Sequence, residues 1–466
     1  MVVQHNMQAA NANRMLNVTT SAQSKSTEKL SSGYRINRAA DDAAGLTISE
    51  KMRKQIRGLD QASTNAQDGV SSVQTAEGAL TEVHSMLQRM NELATQAANG
   101  TNSKDSDRQA IQDEIDQLTT EIDRVSETTK FNETYLLKGE AGTKTINMKA
   151  HDAGLKGTLT DNGDGTATFV MDALKDGDSV SIGGKTYTIG SKKADVATVF
   201  DAKITKADDK FTVNGQEITI VANYSVAGKD ADQKAGKYVV ADAKALVKDG
   251  ATVKFGTDEY KVMTDGDTDG IDDTDASVIS KDVAYGLASK ELLAANQIGD
   301  TKGSAKVANA NAGAKADGSF KITTGQAEVA NSLSFSLHVG ADADMTNKIQ
   351  VNIDAMDSAS LGIKGLNVKD ASGNAATYAV DAISDAISKV SSQRSSLGAV
   401  QNRLEHTINN LDNVVENTTT AESRIRDTDM AEEMVNYSKN NILAQAGQSM
   451  LAQANQSNQG VLSLLQ

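Results

Sequence analysis

Residues 380–415 decide the fold, and they read VDAISDAISKVSSQRSSLGAVQNRLEHTINNLDNVV. Alternate steps of three and four residues trace a stripe in which nine of eleven positions are apolar: Val380, Ile383, Ile387, Val390, Arg394, Leu397, Gln401, Leu404, Ile408, Leu411 and Val415. Such spacing is typical of a helix seam buried against other helices. At ~1.5 Å per residue it predicts a rod of roughly 54 Å. The two polar seam residues are expected to cost stability but to fix the register.

Further helices are predicted on both sides of this rod. A weakly amphipathic helix ends at a turn around Gly33, and a second long helix follows Asp41 and Asp42 and ends at Asn99. Residues 111–125 carry the stripe of a third helix, antiparallel to the second. Beyond the rod, residues 418–420 (TTT) are interpreted as a joint, and a last weakly apolar helix is expected from about residue 422 to residue 466. Such terminal helices are too weakly apolar to fold alone.

The middle of the chain has a different composition. Of the 36 glycines, 27 fall in residues 139–373, whereas all 12 arginines lie outside that span. Residues 166–170 and 185–189 alternate like strands, residues 161–165 (DNGDG) predict a hairpin turn, and residues 284–295 predict a helix. The expected fold class is therefore mainly α terminal regions, built as long coiled-coil or helical-bundle rods, with an inserted β-rich variable middle region.

Composition limits the functions that the chain can have. A formal net charge of −15 argues against nucleic acid and anionic membranes as partners. There is no cysteine and no proline in 466 residues. The missing proline suits long helices and avoids slow cis/trans isomerisation in a chain that must refold quickly. Because no signal-peptide or membrane-spanning segment is recognisable, export by the ordinary secretory signal is not expected.

Several strings make the chain resemble the bacterial flagellins, the subunits of the flagellar filament. At the N-terminal end they are LSSGYRIN (residues 30–37), DDAAGL (41–46), ASTNAQDG (62–69), EGAL (77–80), LQR (87–89) and EIDRV (121–125). At the C-terminal end they are RIRDTDMA (424–431), ILAQAG (442–447) and VLSLL (461–465). The resemblance covers about 140 residues at one end and about 95 at the other, and the middle resembles nothing specific.

The resemblance implies five regions. Residues 1–40 and 419–466 would be inner-core coiled-coil helices, and residues 41–140 and 371–418 outer-core helices. Residues 141–370 would be the β-rich, variable, surface-exposed insert of one or two domains. Inner-core assembly would involve Val461, Leu462, Leu464 and Leu465. The implied partners are other copies of the chain in a helical homopolymer, an export chaperone and the type III export apparatus, and the filament cap and hook-associated proteins. No cofactor is implied, and the location would be the extracellular filament.

The resemblance also implies recognition of the monomer by animal Toll-like receptor 5. The residues that match the family's receptor-binding positions are Gln88, Arg89, Glu92, Leu93, Gln96 and Glu114. Arg89 would anchor the contact through its planar guanidinium, and Leu93 would fill an apolar pocket beside it. Asn91 departs from stimulatory family members, which carry a second arginine there, and this should weaken charge steering more than docking.

The sequence favours neither a protease site nor a metal site. The five histidines lack the one-turn spacing of a metalloprotease helix, so no enzyme activity is expected. Asp265, Asp267 and Asp269 form the start of a calcium-loop pattern, with Gly270 at its sixth position. The acidic twelfth residue is missing, since that position is Ala276; Asp272, Asp273 or Asp275 could substitute. An ordinary acidic surface turn is the commoner explanation, and no metal is expected.

The alternative to a filament subunit is a flagellin-like hook–filament junction protein or an adhesin with the same helical ends. Such proteins share the terminal coiled coil but match the internal strings less well. The number of copies per filament distinguishes them, because a junction protein forms about one ring.

Overall fold

The computed structural model describes residues 6–99, 106–223, 228–309, 318–370 and 373–463. The chain forms two compact units. The first unit comprises Met1–Val73, Phe335–Val351 and Ala399–Gln466, and the second comprises Gln74–Ser334 and Asn352–Gly398.

The helices include five of 22 residues or more, three before the strands and two after them. In chain order they are α1 Met7–Ser32, α2 Ala43–Ala98, α3 Asp107–Thr128, α4 Lys193–Lys203, α5 Lys229–Lys234, α6 Val240–Lys244, α7 Lys281–Asn296, α8 Ser358–Leu361, α9 Asn374–Arg426 and α10 Met430–Ser463. The strands lie between α3 and α8. They are β1 Lys130–Phe131, β2 Thr134–Tyr135, β3 Glu140–Asn147, β4 Gly157–Asp161, β5 Thr166–Met171, β6 Ser179–Ile182, β7 Lys185–Lys192, β8 Lys210–Val213, β9 Gln216–Ile220, β10 Lys237–Tyr238, β11 Thr252–Phe255, β12 Asp258–Met263, β13 Val278–Ile279, β14 Lys306–Asn309, β15 Ser319–Thr323, β16 Gln326–Asn331, β17 Leu333–His338 and β18 Lys348–Ile353. The fold class is therefore the expected one, with helical ends and a β-rich middle.

The heptad seam of α9 is buried as its spacing predicts. None of its eleven positions is exposed, and Ile383, Val390 and Leu404 have no measurable accessible surface. The polar seam residue Arg394 extends to α2, where its Nη2 lies 3.4 Å from Glu77 Oε1. An ion pair at this point can form only in one alignment of the two helices, which is how a polar seam residue fixes register.

The joint predicted at residues 418–420 is wrong, because α9 continues through these threonines to Arg426. Three threonines lower helix propensity by only about 0.7 kcal/mol each, and tertiary contacts readily outweigh that cost. Here Ser49 Oγ donates to Glu422 Oε1 at 2.7 Å, and Arg426 Nη1 lies 3.2 Å from Glu50 Oε1. The last helix consequently begins at Met430 and not near residue 422.

In the first unit, a hairpin from the middle of the chain covers part of the seam. Leu337 and Ile349 pack with Ala66 and Leu404 in one apolar cluster. Asn65 Nδ2 also donates to His338 O at 3.0 Å. The span predicted as a separate insert, residues 141–370, thus includes a segment that folds with the helices. Sequence patterns did not indicate this, because the contacting residues lie far apart in the chain.

The second unit holds two apolar cores besides its helical part. One is built by β5, β7, β15 and α7 around Phe169, Phe320 and Tyr285. The other lies on the eight-stranded sheet, whose order is β10-β9-β8-β11-β12-β7-β13 with β6 beside β7, and it contains Phe200, Phe211 and Phe255. The predicted strands at residues 166–170 and 185–189 and the helix near residues 284–295 are confirmed as β5, β7 and α7.

Three hairpins of this sheet repeat one fifteen-residue pattern that the sequence analysis missed. The pattern occupies residues 175–189, 206–220 and 248–262, with lysine at its first position and apolar residues at its sixth, eighth, thirteenth and fifteenth. The third residue has a left-handed φ in every copy: +80° at Gly177, +75° at Asp208 and +80° at Gly250. Its N–H donates to the carbonyl of the fifteenth residue at 2.8–2.9 Å each time. Aligning the chain with itself would have revealed the repeat.

The β-rich cores leave and rejoin the rest of the second unit through two adjacent strands. β3 and β16 pair antiparallel, and Asn147 lies directly opposite Gln326. Residues 148–325 therefore begin and end at neighbouring positions of one hairpin.

Candidate functional site

The apolar surface of α1 and α10 is the first candidate site, and it lies in the first unit. The two helices pair through small residues, with Ala444 buried and Leu16 beside Gly447. Lys29 Nζ and Glu433 Oε2 lie 3.6 Å apart near one end of the pair, and Asn6 Nδ2 donates to Ala454 O at 3.1 Å near the other.

This pairing leaves many large apolar side chains in water. The exposed ones are Met7, Met15 and Val18 on α1 and Met430, Met434, Val435, Ile442, Leu443 and Met450 on α10. Val435 and Ile442, seven residues apart, are 68% and 67% exposed. Met434, Val435, Ile442 and Leu443 line one shallow groove on α10, and clustered exposed apolar side chains of this kind are typical of surfaces that contact another protein. The site prediction did not include Val435 and Ile442. Their seven-residue spacing, which places both on one face of a helix, was the sequence signal that could have identified them.

The short connection between α9 and α10 contacts the segment that follows α1. The turn predicted at Gly33 is confirmed, since Gly33 caps α1 with a φ of +75° and its carbonyl accepts from Thr428 N at 3.0 Å. Arg35 N donates to Arg426 O at 2.7 Å, and the Arg426 guanidinium lies 4.6 Å from the centre of the Tyr34 ring. These contacts hold the end of α1 next to the start of α10.

The predicted assembly residues lie at the edge of what the structure describes. Val461 and Leu462 belong to α10, but their side chains fall outside the described residues. Leu464 and Leu465 lie outside them altogether. Their role in assembly stays a prediction.

The second candidate site surrounds Arg89 on α2, in the second unit. Arg89 Nε donates to Glu114 Oε1 of α3 at 2.9 Å, and Arg89 Nη1 donates to Glu92 Oε2 at 3.2 Å. The hydrogen bond with Glu114, and next the one with Glu92, raise the pKa of the Arg89 guanidinium. Its side chain is half exposed, and Gln88, Glu92, Gln96 and Glu114 are exposed as well. Five of the six predicted receptor-binding residues therefore face solvent, with Arg89 already held by two carboxylates.

The Leu93 side chain is only 2% exposed, which argues against the apolar contact predicted for it. Leu93 lies beside Ala94 in the buried stripe of α2, which also contains Met90 and Ala97. Met90, Leu93, Ala94 and Ala97 are related by the three- and four-residue steps of a single helix face. A partner that docks on Arg89 would meet polar side chains around it and not an exposed leucine. Asn91 is half-buried, with its Oδ1 enclosed.

The third candidate site is the acidic loop between β12 and β13. One carboxylate oxygen from each of Asp265, Asp267 and Asp269 lies within 4.8 Å of the others. The three predicted substitutes accept hydrogen bonds from backbone N–H groups. Asp272 accepts from Thr264 N and Thr274 N, both at 2.8 Å, Asp273 accepts from Gly266 N at 2.9 Å, and Asp275 accepts from Ser277 N at 3.0 Å.

Among the described helices, none has a stretch both long and apolar enough for a membrane crossing.

Comparison with known proteins agrees with the helical ends. Residues 3–142 match the family model for the bacterial flagellin N-terminal helical region, and residues 380–465 match that for the C-terminal helical region. A flagellin of Clostridium tyrobutyricum is 40% identical and covers 98% of this chain and 100% of its own. A flagellin of Bacillus subtilis (strain 168) is 37% identical with 100% of both chains covered, and flagellin B of Vibrio anguillarum is 36% identical with 99% of both covered.

These relatives match the chain over its whole length, including the β-rich middle that resembled nothing specific. This favours the filament subunit over the junction protein or adhesin. The chain therefore belongs to the bacterial flagellin family, and it is a structural subunit that polymerises into the flagellar filament rather than an enzyme.

Proposed function

We propose that subunits polymerise through the exposed apolar surface of α1 and α10. The observation that carries this proposal is the exposure of Val435 and Ile442 on a helix whose opposite face is already paired with α1. Burying each such side chain between subunits contributes about 1.5–3 kcal/mol. A helical polymer repeats the contact along its whole length. Val461, Leu462, Leu464 and Leu465, the assembly residues that the resemblance implies, would take part in the same polymerisation.

The test is a single charge placed on this surface. Ile442→Asp should prevent filament growth from added seeds, because polymerisation would bury an unpaired carboxylate. Gln448→Asp is the matched control, since it puts the same carboxylate at an exposed polar position of α10. Growth is measured by sedimentation and electron microscopy, and circular dichroism checks that both monomers remain helical. Normal filaments from Ile442→Asp would show that the contact lies elsewhere.

We infer that the subunit is exported from the cell before it joins the filament. It would be carried by an export chaperone to the type III apparatus, pass through it unfolded, and assemble beneath the filament cap beyond the hook-associated proteins. The absence of proline and cysteine from all 466 residues suits a chain that must unfold and refold quickly. Immunoblots of culture medium should lose the protein when the export apparatus is deleted. Its continued presence there, with intact cells, would contradict this route.

We further propose that animal Toll-like receptor 5 recognises the monomer at the Arg89 surface. This surface consists of Gln88, Arg89, Glu92, Gln96 and Glu114 and no longer includes Leu93. Arg89 is well suited to a hot spot, because Glu92 and Glu114 hold its planar guanidinium in place before any partner binds. Lateral contacts in the filament would cover this surface, so that only the monomer is recognised.

Binding of the purified receptor ectodomain tests this proposal. Arg89→Ala should weaken binding by about 2 kcal/mol, roughly thirtyfold. Arg124→Ala is the control, because Arg124 also pairs with a glutamate one turn away on an exposed helix face. Equal affinities for the parent and Arg89→Ala would place the receptor site elsewhere, even though the chain is a flagellin.

A further inference from the structure

A groove of about 850 Å³ lies within the second unit, between α9, the hairpin of β3 and β16, and residues 352–361. Buried apolar side chains line part of it, namely Val329, Met356 and Leu361. Ser392 and Ser396 of α9 line it as well and are exposed. The groove can therefore accept an apolar side chain that is flanked by polar ones.

Two lysines and one aspartate also line this groove, and only one of the lysines has a carboxylate partner. Lys144 Nζ lies 3.7 Å from Asp354 Oδ1, which also accepts from Ser332 Oγ at 2.5 Å. The charge of Asp354 is thus balanced within the groove, and the positive charge of Lys389 remains.

Lys389 donates to Ser360 O at 3.2 Å and forms no ion pair with the residues that the structure describes. Asp385, one turn earlier on α9, is already paired with Lys149 at 2.8 Å. Partial removal from water lowers the pKa of the Lys389 ammonium, and the charge of Asp385 opposes that shift only in part. In the same wall, Ser360 Oγ is enclosed and has no hydrogen-bond partner among the described residues. Both groups would gain from a polar, negatively charged occupant.

The loop between β17 and β18, in the first unit, has the complementary chemistry. Residues 341–346 read ADADMT, and Met345 is 73% exposed. Asp342 and Asp344 are exposed beside it. An unbranched methionine side chain adapts to an irregular apolar lining, and the two carboxylates suit an unpaired ammonium. Since the chain has a net charge of −15, two copies repel each other over most of their surfaces, and a groove with an unpaired lysine is where an acidic loop can approach.

We propose that the loop of residues 341–346 of one subunit docks into this groove of a second copy in the filament. Met345 would contact the apolar lining, and Asp342 would approach Lys389. The loop and the groove are different surfaces, so the contact is heterologous and passes from subunit to subunit instead of closing a dimer. An open helical polymer needs contacts of this kind. The proposal rests on the proposed polymerisation but involves residues outside α1 and α10.

Cross-linking between single cysteines tests the contact directly, because the chain has no cysteine of its own. Met345→Cys and Ser392→Cys subunits are grown together from parent seeds and treated with a short bis-maleimide. Cross-linked dimers should form in these mixed filaments, but not in mixed monomers or in filaments of either variant alone. Thr160→Cys, exposed on β4, replaces Ser392→Cys in the control and should give no dimers with Met345→Cys.

Charge reversal tests the pairing of Asp342 with Lys389. Lys389→Glu and Asp342→Lys should each slow seeded growth about fivefold, because each brings like charges together. Both changes in one chain should restore growth to within about twofold of the parent. Lys364→Glu, at an exposed lysine outside the groove, is the control. Circular dichroism checks that every monomer is folded.

Three results would overturn the proposal: no dimers in mixed filaments, equal dimer yields with Thr160→Cys, or no rescue by the combined charge reversal. These results are separate from the test of the α1 and α10 surface. Absent dimers, together with filament growth blocked by Ile442→Asp, would reject only the docking of the loop. Dimers in mixed filaments, together with normal growth of Ile442→Asp, would reject only the contact through α1 and α10.

Discussion

A single carboxylate, that of Asp300, holds the segment after α7 against β16. Its Oδ1 accepts from Lys302 N at 3.0 Å and Gln326 N at 3.1 Å, and its Oδ2 accepts from Ala305 N at 2.7 Å. Burial raises the pKa of the Asp300 carboxyl, but these N–H donors, together with the Ser304 hydroxyl, outweigh burial and hold the pKa below its ordinary value. The charged form is therefore the one that the fold stabilises.

Asp300→Asn should loosen this segment at neutral pH. An amide replaces one acceptor oxygen with a donor, so one buried N–H loses its partner at a cost of about 1–3 kcal/mol. Hydrogen exchange of the Ala305 amide should become faster at pH 7. Asp249→Asn, which removes only an exposed partner of Lys193, should change little.

The pH dependence follows from the lowered pKa. The contribution of Asp300 is fully present above the unfolded value of 3.8 and is lost as pH falls through the lower folded pKa. The difference in unfolding free energy between the parent and Asp300→Asn should therefore shrink as the pH falls below about 4. A difference in unfolding free energy that persists undiminished at pH 2 would contradict this account.

At the scale of the element, α9 shows what sequence can and cannot predict. Its seam was predictable, because a long apolar heptad stripe has few alternatives to burial between helices. Its C-terminal end was not, because the contacts of Glu422 and Arg426 with α2 override the weak propensity of three threonines. The cover over Leu404 was equally hidden, since Leu337 and Ile349 come from a hairpin distant in sequence.

Leu404→Ala tests this packing. Leu404 has no exposed surface and lies in a cluster with Ala66 and Ile349, so its truncation should cost about 2–5 kcal/mol. Asn402→Ala, two residues earlier and exposed, is the control on the same helix. Thermal unfolding followed by circular dichroism should show a lower melting temperature for Leu404→Ala alone. Equal melting temperatures would mean that the seam is not buried in solution.

At the scale of the whole molecule, the β-rich middle has two parts, and only one of them joins the apolar cluster around Leu404. Residues 148–325 enter and leave at paired positions of β3 and β16, whereas β17 and β18 contribute residues to the helical core. The sequence placed one insert at residues 141–370 because glycine and arginine usage changes near those borders. Composition does not show which part of that span packs against the helices.

Two deletions should therefore behave differently. Replacing residues 149–324 with a short turn should still give filaments, because Asn147 and Gln326 already face each other. Replacing residues 142–365 should destabilise the subunit, because it also removes Leu337 and Ile349 and exposes Leu404. Seeded polymerisation and melting temperature measure both effects. Failure of the smaller deletion to assemble, with its helices intact, would show that the β-rich cores carry subunit contacts.

The three repeated hairpins also bear on how a gene for such a subunit can change. Their starts lie 31 and 42 residues apart, so the gain or loss of one repeat would add or remove one hairpin with its trailing helices. The second copy, β8 and β9 with β10, occupies one end of the sheet order, beyond β11. A duplicated copy can therefore extend the sheet at that edge without interrupting β11, β12 and β7. Length variation among descendants of this gene should thus occur in whole hairpins and should concentrate at this edge.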